Sequence, residues 1–318
     1  MSRGGYPAYR ELPRAGDLAA RTSWGVFGAD DAIGTLRFIT PGRVAAAAAL
    51  VRTGRTDPLG WSLGLPDPPM FGRRPLRRSV NLFPNGTDDW YDDFFPQGSS
   101  QWDSLSHIGH PELGFYNGTS RQAVTGPLNP LGIEHWAERG ITGRFVHIDV
   151  ARHRARAGRP LDPTVGTAIT VDELDRMLAD QGTPLRGGDI LLLRFGWIAW
   201  YLGTDAATRE YLSTADHPDT PDLAPEERTA EWLWDHRVAA VAADNPGVER
   251  YPSDPRHLDQ YLHYRLLTFL GMAIGELFAL DALAADCAAD GIHEGLLVAA
   301  PLHQTGGSGS TANALALK

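Results

Sequence analysis

Short apolar runs recur along the second half of the chain, and their pattern predicts buried strands. They cover residues 145–150, 190–195, 238–243 and 296–300. Each run is too short for a stable helix and is bounded by Gly, Asp or Pro, which is typical of strands covered on both faces. We therefore expect a largely buried sheet.

Helical patterns alternate with these runs. The sequence predicts a helix over residues 41–53, because threonine and proline stand at its start and glycine follows its end. A capping box opens a second predicted helix over 170–180, and a third covers 225–236. A longer helical stretch is predicted over 262–291, with an interruption at the glycines near 271–275. This alternation predicts an α/β fold with a mixed sheet.

The remaining segments suggest how the chain is organised. Residues 1–35 show no clear periodicity and predict an N-terminal arm, while residues 55–120 are rich in Gly and Pro and predict loops and short strands. No linker divides the rest, so we expect one domain over 36–318. The sequence shows no apolar signal core and no apolar run of the ~20 residues that a membrane span needs, so we expect a cytoplasmic protein with no membrane partner.

Composition narrows the function. A formal charge of −10 and a pI near 5.5 argue against a nucleic-acid partner or an anionic membrane. We interpret the one basic cluster, residues 71–78, as a solvated loop. Cys287 is the single cysteine, which excludes a disulfide within the chain and a thiolate cluster, and we interpret it as a buried, inert thiol.

The densest chemical segment is residues 98–110. Asp103 and His107 are four residues apart, a spacing that places two side chains on one face of a helix. Such a carboxylate can orient the imidazole as a general base, or the pair can share a divalent cation. If the segment is extended instead, Trp102 alternates with its neighbours and faces the core.

The same segment resembles a known signature. Gln101-Trp-Asp-Ser-Leu-Ser-His107 is similar to the motif His-x-x-x-His-x-Asp-x-x-x-His of the cyclase family, which includes kynurenine formamidase and isatin hydrolase. In that family the motif supplies metal ligands and a catalytic histidine. Further similar segments follow in family order at residues 187–197, 243–249, 263–276 and 297–316, so the resemblance spans about residues 95–317.

The resemblance implies a fold and an activity. The fold is a swivelling β/β/α domain, assembled as a homodimer or homotetramer whose arms help to close neighbouring sites. The activity is hydrolysis of an amide or lactam-like carbonyl of a small molecule, or a related lyase or cyclase step, in secondary metabolism. By position, Asp103 is a metal ligand or an orienting carboxylate, His107 is the general base or acid, and His263 and Glu276 are a second pair at the site.

The chain departs from the family motif at two positions. Gln97 and Gln101 stand where the metal-binding members have histidine. A neutral amide is a poor replacement for imidazole on zinc, so two alternatives stay open. In one, Asp103, His263 and Glu276 bind a harder cation such as Mn²⁺ or Mg²⁺, with Gln101 as an additional ligand.

In the other alternative the site holds no metal. Gln101 then bonds to the substrate and Asp103 orients His107, so that all three are catalytic candidates. Further candidate substrate contacts, chosen for their place in or beside the motif, are Gln97, Trp102, Tyr116 and Asn117.

Other histidines and motifs give weaker signals. His110, His293 and His303 flank the matched segments, and we interpret each as a surface or core residue. The sequence has no Gly-x-Ser-x-Gly elbow and no phosphate-binding loop, which argues against a serine hydrolase or a P-loop enzyme. Two hypotheses therefore remain: an enzyme of the cyclase type, or a relative that has lost its ligands and binds a metabolite without turnover.

Overall fold

A nine-stranded mixed sheet organises the protein. The computed structural model describes residues 5–18, 20–215, 218–251, 256–257 and 261–318. The strands in chain order are β1 (Thr56–Pro58), β2 (Arg77–Phe83), β3 (Gly86–Asp92), β4 (Gln101–Asp103), β5 (Ile141–Asp149), β6 (Ala168–Ile169), β7 (Ile190–Arg194), β8 (Asp222–Leu223), β9 (Ala240–Ala243), β10 (Ala273–Glu276), β11 (Glu294–Ala299), β12 (Gly309–Thr311) and β13 (Ala314–Leu317).

The large sheet has the order β1-β13-β11-β5-β7-β9-β10-β4-β12. Its four middle strands, β5, β7, β9 and β10, are parallel, and the strands on either side pair antiparallel. Strands β7 and β9 are almost wholly apolar and buried. This is the pattern expected of parallel strands covered on both faces.

Helices cover the sheet. They are α1 (Pro41–Ala48), α2 (Arg121–Val124), α3 (Glu134–Arg139), α4 (Val150–Arg156), α5 (Val171–Asp180), α6 (Trp197–Leu202), α7 (Ala206–Thr214), α8 (Glu227–Asp235) and α9 (Asp281–Asp290). The capping box ahead of α5 is formed by Thr170 and Glu173, as the sequence predicts. No described helix is long and apolar enough to cross a membrane.

The predicted elements agree with the structure at most places. The four predicted strands correspond to β5, β7, β9 and β11, with ends that differ by a few residues. Helix α1 ends at Ala48, earlier than the predicted end at residue 53. Beyond it the backbone forms separate turns, in which Leu50 N donates to Ala47 O and Val51 N donates to Ala48 O. Between residues 55 and 120, loops and short strands alternate with the β2–β3 hairpin.

The predicted interruption of the helical stretch 262–291 near residues 271–275 is confirmed, but the interrupting segment is a strand. A π-helix spans Tyr264–Leu270 and ends at Gly271, whose φ of 63° is left-handed. Residues Ala273–Glu276 then form β10, which pairs with β9 on one side and β4 on the other. Pairing with two neighbouring strands outweighs the helix propensity of this apolar segment.

The N-terminal segment packs against the π-helix. Ser23 N donates to Phe269 O at 2.8 Å, Trp24 Nε1 donates to Thr268 O at 2.8 Å, and Thr35 N donates to Gly271 O at 2.8 Å. The division into an arm and one domain stays a prediction, and residues 1–4 and 19 of that arm lie outside the described residues.

Gly34 makes the closest approach between this segment and the π-helix. Its φ is +63°, and a Cβ at this position would lie 1.8 Å from Gly271 O. We predict that Gly34→Ala lowers the free energy of unfolding by about 3 kcal/mol or more, because it combines backbone strain with a backbone clash. Urea unfolding followed by circular dichroism measures the change.

Gly42 provides the matched control. It lies in α1, where an added Cβ meets no atom within 4 Å. Gly42→Ala should leave stability unchanged or raise it by about 0.5–1 kcal/mol, because alanine favours the helix. A Gly34→Ala protein as stable as the parent would contradict the proposed close approach.

Candidate active site

The site is built on the pairing of β4 with β10. In this antiparallel pair Gln101 lies directly opposite Glu276, so their side chains share one face of the sheet. Asp103 is two residues along β4 and lies on the same face. The register therefore brings Gln101, Asp103 and Glu276 together, although Glu276 is far along the chain.

A buried chain of hydrogen bonds runs through the late residues. Gln101 Nε2 donates to Glu276 Oε2, and Glu276 Oε1 lies 3.1 Å from His263 Nε2. The other nitrogen of His263, Nδ1, bonds to Glu249 Oε1. Glu249 lies in the segment after β9 and is fully buried. A carboxylate on the far nitrogen of an imidazole fixes its orientation, so Glu249 positions His263.

Asp103 and His107 approach each other by a different geometry from the predicted helical face. Asp103 ends β4, and His107 follows in a turn closed by its N–H to Ser104 O at 3.0 Å. His107 Nε2 lies 3.8 Å from Asp103 Oδ1, beyond hydrogen-bond distance. The prediction of a shared helical face is therefore wrong, since a strand and a turn bring the two residues together.

Gln97 bridges this pair. Its Nε2 donates to Asp103 Oδ1 and lies 2.8 Å from His107 Nδ1. Because the carboxylate can only accept, the amide nitrogen must face it, and Nδ1 must then accept as well. The ring proton consequently sits on Nε2. Gly309 leaves room for this arrangement, since a Cβ there would lie 2.6 Å from the Gln97 side chain.

Burial changes the protonation of these groups. It lowers the pKa of His107, with Arg73 and His263 acting in the same direction, so the imidazole is neutral at pH 7. Burial opposes the charged form of His263, but Tyr261, Glu249 and Glu276 outweigh it and raise its pKa well above the ordinary value. Burial and the nearby Asp103 charge raise the pKa of Glu276 to about 7.

Two buried oxygens point to a missing partner. Asp103 Oδ2 and Gln101 Oε1 find no hydrogen-bond partner in the described part of the chain. A donor atom from each of Asp103, His263 and Glu276 lies within 4.8 Å of the others, so this group could hold a metal ion. Carboxylate and amide oxygens with one imidazole suit a hard divalent cation better than zinc.

Two residues of this group, Glu249 and Arg73, were not predicted from the sequence. Glu249 belongs to a segment matched to the family, but nothing local indicates that it faces His263. Arg73 was interpreted as part of a solvated loop, whereas it interacts electrostatically with Glu276, Asp103 and His107. The solvated-loop interpretation is wrong for Arg73, because its side chain is partly buried and burial lowers its pKa. It fits Arg74 better, which is mostly exposed and pairs with Asp93 at 2.6 Å.

A small cavity lies beside Arg73, although Gln97, Gln101, Asp103, His107, His263 and Glu276 are not among its lining residues. Its volume is about 150 Å³, and it is bordered by Arg73 and by Gly98, the neighbour of Gln97. Its other walls include Leu63, Phe94 and Phe95. Asp67, Asp93 and Arg74 line it as well, so its walls combine apolar rings with charged side chains of both signs.

Three residues proposed as substrate contacts lie elsewhere. Trp102 is fully buried in the core, where its ring packs on Phe278 at 5.0 Å, as the alternation along an extended segment requires. Tyr116 OH donates to Asp31 Oδ2 at 3.2 Å, and Asn117 Nδ2 donates to Asp31 O at 3.2 Å. Tyr116 and Asn117 therefore bind the N-terminal segment, and their role as substrate contacts stays a prediction.

The remaining histidines are also separate from the site. His110 Nδ1 accepts from Leu113 N at 3.3 Å within a turn. His303 is exposed and lies 3.5 Å from Glu138. His293 lies beside His147, with the ring centroids 6.4 Å apart.

Comparisons with known proteins agree with this architecture. Residues 64–250 match the model of the family described as "Putative cyclase". A solved structure described as a novel cyclase is 33% identical, with a TM-score of 0.82 and coverage of 93% of this chain and 99% of that chain. No curated protein matches the chain.

Two isatin hydrolases share the fold at lower identity. Isatin hydrolase A from Labrenzia aggregata, bound to benzyl benzoate, is 20% identical, with a TM-score of 0.59 and coverage of 83% of this chain and 93% of that one. Isatin hydrolase A from Ralstonia solanacearum is 18% identical, with a TM-score of 0.57 and coverage of 88% and 97%.

These findings confirm the resemblance and the predicted fold class. The family model covers more than half of the sequence, and the 33% identity extends over nearly the whole chain. The chain therefore belongs to the cyclase family.

Proposed function

We propose that this protein is a hydrolase that cleaves an amide, lactam or related carbonyl bond of a small molecule. The observation that carries the proposal is the buried carboxylate pair Asp103 and Glu276, in which Asp103 Oδ2 is an unpartnered acceptor among the described residues. Such an oxygen can take a proton from an attacking water.

The first step uses the two available oxygens. Asp103 Oδ2 and Gln101 Oε1 accept hydrogen bonds from one water molecule and aim its oxygen at the carbonyl carbon. As the new C–O bond forms, the water transfers a proton to Asp103, and the carbonyl becomes an oxyanion. Collapse of this intermediate breaks the C–N bond, and the proton passes from Asp103 to the leaving nitrogen.

The oxyanion needs donors. His107 carries its proton on Nε2 and is neutral, so it can donate a hydrogen bond without losing the proton. Arg73 supplies a positive charge beside the same carboxylates. The role of general base or acid that the resemblance implies for His107 stays a prediction, and the assigned tautomer favours the donor role.

A divalent cation is the alternative to this use of the two oxygens. Asp103, His263 and Glu276, with Gln101 Oε1, would hold it, and it would polarise the carbonyl and lower the pKa of water. The metal-free alternative depends on the same residues, since protonated His263 then supplies the positive charge between Glu249 and Glu276.

The cavity beside Arg73 suggests the substrate class. At about 150 Å³ it is smaller than a typical drug-sized site, and its walls combine aromatic rings with charged side chains, Arg73 among them. A compact ring compound with an amide or lactam carbonyl fits these features. Two proteins with this fold are named isatin hydrolases. Isatin and N-formyl arylamines are therefore the first probes.

Variants of the two central residues test the proposal. We predict that Asp103→Asn and His107→Ala each lower kcat at least about a hundredfold on a probe that the parent hydrolyses, because each removes a proton-transfer or oxyanion contact. Product formation by chromatography measures the loss. Circular dichroism should show that both variants keep the parent fold, and full activity in both would refute the assignment.

A binding protein would behave differently. If the chain binds a metabolite without turnover, the probe should saturate the protein and be recovered unchanged. Calorimetric binding combined with mass analysis of the recovered compound separates that outcome from hydrolysis.

Arg73 and Arg74 form a matched pair for a second prediction. Both border the cavity, but only Arg73 interacts with Asp103 and Glu276, whereas Arg74 pairs with Asp93. We predict that Arg73→Met lowers kcat by about 10²–10³-fold, whereas Arg74→Met changes it less than about threefold. Steady-state kinetics of both variants checks this difference, and equal losses would exclude a specific role for Arg73.

A further inference from the structure

We propose that His147, Cys287 and His293 form a second metal site, suited to Zn²⁺ or a transition metal of similar ligand preference. The three residues come from different elements. His147 is in β5, Cys287 is in α9, and His293 immediately precedes β11. Beside the group at the candidate active site, this is the other cluster of potential ligands found among the described residues.

The geometry approaches that of a metal site. A donor atom from each residue lies within 4.8 Å of the other two. With zinc bonds of about 2.0–2.1 Å to nitrogen and about 2.3 Å to sulfur, donors in a tetrahedral site lie roughly 3.3–3.6 Å apart. Side-chain rotations that close the group by up to roughly 1.5 Å would complete it.

Unsatisfied nitrogens provide independent support. The side chain of His147 is fully buried, yet neither Nδ1 nor Nε2 has a hydrogen-bond partner within the described ranges. His293 Nδ1 is also buried and has no hydrogen-bond partner among the described residues. Buried polar atoms are rarely left without partners, because they lose hydration and gain nothing in return. A bound cation would satisfy nitrogens of both residues at once.

The protonation state of His147 already suits metal binding, whereas that of Cys287 would change when a metal binds. Burial lowers the pKa of His147 to about 3, so its imidazole is neutral with a free lone pair. Burial raises the pKa of Cys287 to about 12, so the thiol keeps its proton until a metal displaces it. Lys318 Nζ, 3.8 Å from Cys287 Sγ, favours the resulting thiolate.

The charges that face the group come from several elements. Asp149 lies beside both histidines, and Arg194 acts on His147. Lys318 is neutralised by Asp286 at 2.8 Å and Asp290 at 2.9 Å. The two carboxylates around Lys318 therefore limit its repulsion of a cation.

A cavity gives access to the group. Its volume is about 570 Å³, and Asp149, Cys287 and His293 are among its lining residues. It provides an entry path for the ion and room for a water molecule as the fourth ligand. Three protein ligands with one open position are typical of zinc sites that exchange a ligand.

This site is separate from the candidate active site and has different chemistry. Strands β5 and β10 are three strand spacings apart in the sheet, which is roughly 14 Å. The group at β10 is rich in oxygen, whereas the group at β5 has one sulfur and two imidazoles. Thiolate and imidazole select zinc, cobalt or copper over magnesium. The proposal does not depend on the reaction at the other site.

Cobalt(II) provides a specific test in the full chain. Cys287 is the only cysteine, so a thiolate-to-cobalt charge-transfer band in the near ultraviolet can come from this residue alone. We expect the band to rise to saturation as Co²⁺ is added and to disappear when Zn²⁺ is added. Cys287→Ala should abolish it, and His293→Ala should weaken Co²⁺ binding at least tenfold.

Two controls separate this site from its surroundings. His303→Ala removes an exposed histidine and should leave the band unchanged, and so should Asp103→Asn at the candidate active site. Circular dichroism should confirm that each variant is folded. The proposal is overturned if excess Co²⁺ gives no band in the parent protein, or if His293→Ala binds Co²⁺ as tightly as the parent.

Discussion

The structure depends on burying several ionisable groups where β4 and β10 meet. Removing one partner of a buried charged pair costs several kcal/mol, so each group must be matched. The chain from Glu249 through His263 and Glu276 to Gln101 provides that match. It also fixes the strand register, since a slip by one residue would turn Gln101 to the opposite face.

The N-terminal segment supports the position of His263 indirectly. It bonds to the π-helix that follows His263, and the close contact of Gly34 with Gly271 leaves no room for a side chain. Tyr116 and Asn117 strengthen the contact by holding Asp31. These residues act through packing, so a substitution far from the carboxylates could still displace His263.

The two candidate metal sites differ in a way that follows from their ligands. Glutamines at positions 97 and 101 leave the group at β10 with mostly oxygen donors, which suit a hard cation. His147, Cys287 and His293 offer softer donors. Gln97 also has a structural role, because its amide links Asp103 to His107 across a gap that the two side chains do not close.

The sequence by itself determined the elements with clear local signals, namely the apolar strands, the capping box at Thr170 and the motif containing Asp103 and His107. The resemblance to the cyclase family is also visible in the sequence alone. Only the tertiary structure decided that 273–276 is a strand, that Glu249 and Arg73 join the site, and that His147 meets Cys287. The reason is physical: periodicity and capping act between near neighbours, whereas strand pairing and buried charge join residues whose separation along the chain leaves no local trace.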